Sequence, residues 1–299
     1  MKTKGPSLTP PACRLAVKFA RSAPVAILLR RGPTDWVQLI TWSLDDDRFE
    51  PGQWFKGRVY EDLCDLSEDG ELFVYSVRKA NAWTTQHRDK VGETWTAISR
   101  PPFFTALGLW PNGCWDGGGL FTGSNRLTLG LPTPKAVPNH LLENLEVQGY
   151  PMPKHQPQQL STLIALREGW QPSNCLAEAL TGYYWRLLSP LEKIGCGGSV
   201  RVIRTTTQTK NDRNVDHFCV INEHGKTQIG ITDFVDFDSL GRLVQGHRGR
   251  LLICSNPTEQ LLQWRELADF SSARPAPLPP TDWARVWPER YQTPTLAQG

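Results

Sequence analysis

Two acidic groups lie in the first quarter of the chain: Asp45, Asp46, Asp47 and Glu50, then Glu61, Asp62, Asp65 and Asp69. Carboxylates gathered by a loop can hold a divalent cation through oxygen ligands. The first group lacks the glycine and the distal glutamate of an EF-hand loop, however, so a solvated turn is the better reading. Two carboxylates held roughly 5 to 9 Å apart could hydrolyse a glycosidic bond. Chain spacing does not set that distance, so Asp45, Glu50, Glu61 and Asp65 are catalytic candidates on residue type alone.

The remaining chemistry-bearing residues are scattered. His87, His140, His155, His217, His224 and His247 show neither an HExxH pattern nor clustered ligand spacing, so no metal site is expected. Cys175 or Cys219 could serve as a nucleophile with a distant histidine, but neither lies in a recognisable nucleophile motif, and buried apolar thiols fit them better. Gly117-Gly118-Gly119 lacks the Gly-Lys-Ser/Thr ending of a phosphate loop and reads as a tight turn beside Trp115-Asp116. Arg58, after Gly57, and Arg100, in Ser99-Arg100-Pro101-Pro102, lie near aromatic residues that include Trp54 and Trp95. An arginine so placed can clamp a carboxylate or phosphate within an aromatic-walled pocket, or it can simply stack on a ring. No cofactor is implied by any of these patterns.

Composition narrows the classes further. The 299 residues include 33 Lys and Arg against 30 Asp and Glu, a formal charge of +3 spread along the chain, too small an excess to argue for nucleic acid. The seven cysteines contain no CxxC pair, as expected of reduced thiols in a cytoplasmic protein. The early run Ala23–Leu29 follows Arg21 and precedes Arg30-Arg31, too short and too late for a signal peptide, and no apolar segment approaches the roughly 20 residues of a membrane helix. Twelve Trp beside 25 Gly and 24 Pro suggest many short elements with bulky rings between sheets, hence a predominantly β chain.

The elements that must position these residues read as strands and turns. VAILLRR, GPTD and WVQLITW form a hairpin pattern from Val25, SLDDDRFEPGQ reads as an exposed loop, and Trp54–Tyr60 as the start of another strand. In CDLSEDGELFVY, Cys64–Tyr75, Asp65 and Ser67 can bond nearby backbone amides. Asp69-Gly70 accepts positive φ, and Leu72 to Tyr75 alternates as a strand. Val235–Val244 repeats this form: Asp65 and Gly70 are five apart, as are Asp236 and Gly241, with leucines two residues beyond each glycine. This second copy continues into the Gly turn and apolar run of His247–Cys254, and a third, looser copy lies at Phe218–Ile231. The best two copies are 241 − 70 = 171 residues apart, room for about four units of roughly 40 to 45 residues. Arg126–Leu131 alternates like a strand. Pro132 to Pro157 is proline-rich, with a possible helical turn at His140–Glu146, and Gln158–Glu168 and Cys175–Leu188 carry helix-compatible spacing. The tail TDWARVWPERY is expected to lie against a domain surface.

The DLSEDGELFVY and DFDSLGRLVQ units, with WTAISRPPFFTALGLW between them, resemble the strand-turn-strand repeats of bacterial β-propeller proteins of uncharacterised function. The WD-repeat pattern itself is absent, since Trp115-Asp116 is solitary. The resemblance implies an all-β, propeller-like stack of about five to six antiparallel meander blades with short helical insertions. It would be organised as an N-terminal segment (1–22), a first group of blades (23–131), a linker and helical insertion (132–190) and a second group with the tail (191–299). It also implies a platform for partners. The expectation is therefore a non-catalytic scaffold binding a protein partner through Trp54, Arg58, Arg100, Trp115 and Asp116, with no nucleic acid or membrane involved. The competing expectation is a hydrolase or lyase acting on a sugar or phosphate-containing substrate through the loop carboxylates.

Overall fold

The computed structural model describes residues 13–32, 34–87, 92–112, 117–131, 144–150, 158–177, 186–187, 190–208 and 214–292. They form an all-β fold of several sheets, each made from a consecutive stretch of chain. The first sheet has the order β1 (Arg14–Phe19), β2 (Val25–Arg31), β3 (Trp36–Ser43), β4 (Arg48–Lys56). The second contains β5 (Arg58–Val59), β6 (Asp65–Leu66), β7 (Phe73–Arg78), β8 (Thr94–Ser99) and β9 (Gly108–Pro111), with a one-turn helix α1 (Ala82–Gln86) between β7 and β8. Its order is β5-β7-β8-β9, and β6 also pairs with β7.

The third sheet joins β10 (Gly119–Gly123), β11 (Arg126–Leu129) and β12 (Glu146–Gly149), and β12 lies parallel to β11. After helix α2 (Gln158–Arg167) come β13 (Trp170–Pro172), β14 (Arg186–Leu187), β15 (Leu191–Gly195), β16 (Val200–Gln208), β17 (Asn214–Asn222) and β18 (Gly225–Ile231). These form a fourth sheet of order β13-β15-β16-β17-β18, with β14 on β16. The last sheet is the meander β19 (Phe234–Phe237), β20 (Leu243–His247), β21 (Arg250–Cys254), β22 (Arg265–Asp269). None of the helices among the described residues is long and apolar enough to cross a membrane.

The chain divides into two compact units, one comprising Met1–Val17, Arg30–Thr34 and Ala165–Arg274, the other Lys18–Leu29, Asp35–Ile164 and Pro275–Gly299. In the second of these, Leu72, Val74, Ile98, Trp110, Phe121, Leu127 and Leu129 form a buried cluster that also takes in Trp287 and Tyr291 from the tail. In the first, Trp170, Val200, Val202, Phe218, Val220, Val235 and Leu243 do the same. The alternation of strand side chains puts these residues on inward faces, and each large apolar side chain so buried contributes about 1.5–3 kcal/mol.

The two related turns fold by the local chemistry their residues offer. Ser67 Oγ accepts the Leu72 N–H at 2.9 Å and donates to Asp69 Oδ1 at 2.6 Å, which also accepts the Glu71 N–H at 3.1 Å. Asp238 Oδ1 accepts the N–H groups of Leu240 and Arg242 at 3.0 and 2.9 Å. Gly70 and Gly241 adopt φ of 80° and 78°, the left-handed region each turn requires. The turns differ by one residue, since Leu66 pairs with Phe73 whereas Phe237 pairs with Leu243. The hairpins expected at β2–β3, β17–β18 and β20–β21 are present. The last turns through Arg248 and Gly249 at φ 51° and 86°, the two successive positive values of a type I′ turn.

Several local expectations are corrected. The stretch SLDDDRFEPGQ is not wholly loop: β4 starts at Arg48, and Trp42 faces Phe49 with stacked rings 5.6 Å apart. This aromatic cross-strand pair outweighs the turn-forming composition, and Pro51 is tolerated because β4 ends the sheet's order. Trp54–Tyr60 is not one strand, because the chain breaks at Gly57 between β4 and β5. Asp65 bonds the Phe121 N–H, 56 positions ahead, a partner that its turn-forming context did not indicate. The helix expected at Gln158–Glu168 is α2, whereas Arg186–Leu187, within the helix-compatible Cys175–Leu188, is a strand. Most of the turn expected at His140–Glu146 lies outside the described residues, and Glu146 opens β12.

Candidate functional site

Within the unit that holds the second and third sheets, the SEDGE turn, the end of β8 and the tail meet. Arg100 follows β8, and the tail contributes two short 3-10 turns, Trp283–Arg285 and Glu289–Tyr291. Between them lies a cleft of about 510 Å³ lined by Glu71, Arg100, Trp283, Val286, Trp287, Glu289, Arg290 and Gln292.

The tail is anchored by side chains the core pulls inward. Tyr291 is fully buried and donates to the Ser124 carbonyl at 2.9 Å, and Asn144 Nδ2 donates to the Gln292 carbonyl at 2.7 Å. Further back, Gln53 Nε2 donates to the Leu278 carbonyl at 2.9 Å. Pulling Trp287 and Tyr291 into the core leaves Trp283 and Val286 about half exposed at the rim, at 48% and 50%.

Both cleft arginines are positioned by rings, carbonyls and carboxylates. The Arg100 guanidinium lies 3.8 Å from the Trp283 ring centroid, and its Nη1 reaches the carbonyls of Trp283 and Val286 at 3.5 and 3.4 Å. Its Nη2 stands 4.0 Å from Glu71, beyond hydrogen-bond reach, and its Nε is buried without a hydrogen-bond partner. Arg290 pairs with Asp69 at 2.8 Å, donates to the Ser124 carbonyl at 2.8 Å and bonds the Tyr291 hydroxyl.

The electrostatics follow from this packing. Burial raises the Glu71 carboxyl above the ordinary carboxylate range, and the Asp69 charge adds to the effect, while Arg100 works against both. Burial also lowers the Arg100 guanidinium, opposed by Glu71. For Arg290 burial acts downward, but the hydrogen bond to Tyr291 and the charges of Tyr291, Asp69 and Glu71 outweigh it. The Tyr291 hydroxyl is raised by burial.

The structure places the expected residues separately. Asp45 is exposed in the β3–β4 turn, and Glu50 is exposed on β4 opposite Thr41. Glu61 opens a 3-10 turn, Glu61–Leu63. Asp65 is buried on β6, where its Oδ2 accepts the Phe121 N–H at 2.7 Å. Trp54 stands on β4 opposite Gln38. Arg58 is exposed over the Tyr60 ring, 5.0 Å from its centroid, and directly opposite Arg78. Trp115 and Asp116 lie outside the described residues.

Of the described residues among them, only Arg100 lines the cleft. Glu71, Trp283, Trp287 and Arg290 are not among the residues the sequence marks as a site. The signal available for them was the density of rings and arginines in TDWARVWPERY, beside the polar turn that the chain repeats. Among the described residues no group of three or more His, Cys, Asp or Glu could hold a metal ion, and the described cysteines carry free thiols. Burial pushes the Cys64 thiol up to about 12 and the Cys219 thiol up to about 11, far from a thiolate at neutral pH. No family model and no curated protein matches the chain.

Proposed function

We propose that the protein is a non-catalytic, propeller-type interaction protein that engages a protein partner at the Arg100–Trp283 cleft. One observation carries the reading: a buried arginine stacked on a half-exposed tryptophan, with exposed Val286 beside it. Arginine and tryptophan in a desolvated setting are the residue types that dominate interface energetics. Propeller architecture is supported by the consecutive origin of each sheet. It is supported too by Asp233, just ahead of the last sheet, which accepts the Leu15 N–H of β1 at 3.2 Å and pairs with Arg14 at 3.5 Å.

The test is quantitative affinity capture at native expression level with the wild-type chain and with Trp283→Ala and Val286→Asp. The expected result is a reproducible protein partner depleted at least about tenfold by both variants, the scale of a single interface hot spot. Equal capture by all three proteins, or no reproducible partner, would overturn the reading.

A further inference from the structure

We infer that the cleft recognises a carboxylate borne by an apolar group, such as the chain end of a partner protein that finishes in a bulky apolar residue. This deepens the proposed function and rests on its assignment of the cleft to a protein partner.

The argument starts from the geometry of Arg100. A guanidinium presents five N–H donors in a fixed fork, and its Nε and Nη2 edge matches the two oxygens of a carboxylate. At Arg100 the side chain is only 9% exposed. The Nη1 group is turned to the carbonyls of Trp283 and Val286, Nη2 has the Glu71 carboxylate at 4.0 Å, and Nε has no acceptor. Nε is therefore a buried donor that the protein leaves unsatisfied, and a carboxylate reaches it by entering the packing beside Nη2, where Glu71 stands 4.0 Å away. Arg290 lies in the same lining but is paired with Asp69, and Glu71 and Glu289 line the cleft too, so the attraction for a carboxylate rests on Arg100 alone.

The surroundings define what the carboxylate is attached to. Trp283, Val286 and Trp287 supply apolar surface beside the guanidinium, and a volume of about 510 Å³ suits one or two residues rather than a broad protein face. Glu71 is the competing group. It approaches Arg100 without a hydrogen bond, so an incoming carboxylate displaces little when it takes that place.

The probes are N-acetylphenylalanine and its uncharged analogue N-acetylphenylalaninamide, titrated into the full chain while the tryptophan indole N–H signals are followed by NMR. The acid is expected to bind at least about tenfold more tightly than the amide, the margin of a charge-assisted hydrogen bond. Arg100→Gln should abolish that preference. Glu71→Gln, which keeps Arg100 and removes its competitor, should strengthen acid binding. Because Arg100 also holds tail carbonyls, thermal melts of each variant establish that it is folded, and the Glu71→Gln result does not depend on removing Arg100. Equal binding of acid and amide, tighter binding of the amide, or no binding of the acid by wild type and Glu71→Gln alike would overturn the inference. If the acid fails to bind while Trp283→Ala still abolishes partner capture, the interaction reading survives and the carboxylate assignment falls.

Discussion

The Asp65 carboxylate accepts the backbone N–H of Phe121 at 2.7 Å, so a strand of the second sheet is tied to the first strand of the third by two buried residues. Asp236, which stands 236 − 65 = 171 positions later at the equivalent place before the second turn, also ties two sheets, but through an ion pair. Its Oδ1 lies 2.5 Å from Lys193 on the fourth sheet. The repeated aspartate thus joins sheets, and the following Ser67 or Asp238 shapes the turn.

Asp65→Ala should lower unfolding free energy by about 2 kcal/mol, because it strands a buried backbone donor and removes a charged acceptor. Asp65→Asn keeps an acceptor of the same shape and should lose less. Urea denaturation followed by tryptophan fluorescence measures both, and equal losses would show that the carboxylate charge, not the acceptor, matters.

Lys193→Met should cost about 3 kcal/mol at neutral pH by leaving Asp236 buried without its counter-charge. Burial already raises the Asp236 carboxyl while Lys193 holds it down, so the variant raises it further. For an acid raised in the folded state, stability is greatest below its unfolded pKa, near pH 4, and is lost as pH rises through the folded value. The deficit relative to wild type should therefore shrink between pH 7 and pH 4 in paired denaturation curves. A constant deficit would contradict the assignment.

Gly52→Ala should destabilise by about 1–3 kcal/mol through overpacking. A Cβ at Gly52 would stand 1.9 Å from the Pro102 carbonyl oxygen, which is backbone and cannot rotate away. Gly241→Ala meets no neighbouring atom and carries only the strain of φ 78°, so it should cost less. Thermal melts of the two variants check the order.

Thiol labelling at pH 7.5 should modify Cys175 and Cys196, which are partly exposed, before Cys13, Cys64, Cys219 and Cys254, which are buried. Burial also raises the Cys64 and Cys219 thiols to about 12 and about 11. Mass spectrometry of the native protein should find those two unmodified until denaturant is added, and early labelling of Cys64 would show that the second sheet opens readily.

Much of the fold was legible because it obeys short-range rules. The Gly70 and Gly241 turns, the type I′ turn at Arg248-Gly249 and helix α2 each follow from residues within a few positions of one another. The extent of β4 was not, since its pairing with β3 depends on the Trp42–Phe49 contact, which overrides an acidic, turn-rich composition. Nor was the role of Asp65, whose partner lies 56 residues ahead.

The amino-acid sequence by itself determined a β-rich chain, its repeated polar turns and the absence of a recognisable catalytic motif, because φ preference and side-chain alternation act between neighbours. Only the tertiary structure decided that Arg100 meets Trp283 across 183 positions, with Glu71 and Arg290 beside them. That meeting depends on Trp287 and Tyr291 sinking into the core of Leu72, Phe121 and Leu129, and burial of apolar surface is indifferent to distance along the chain.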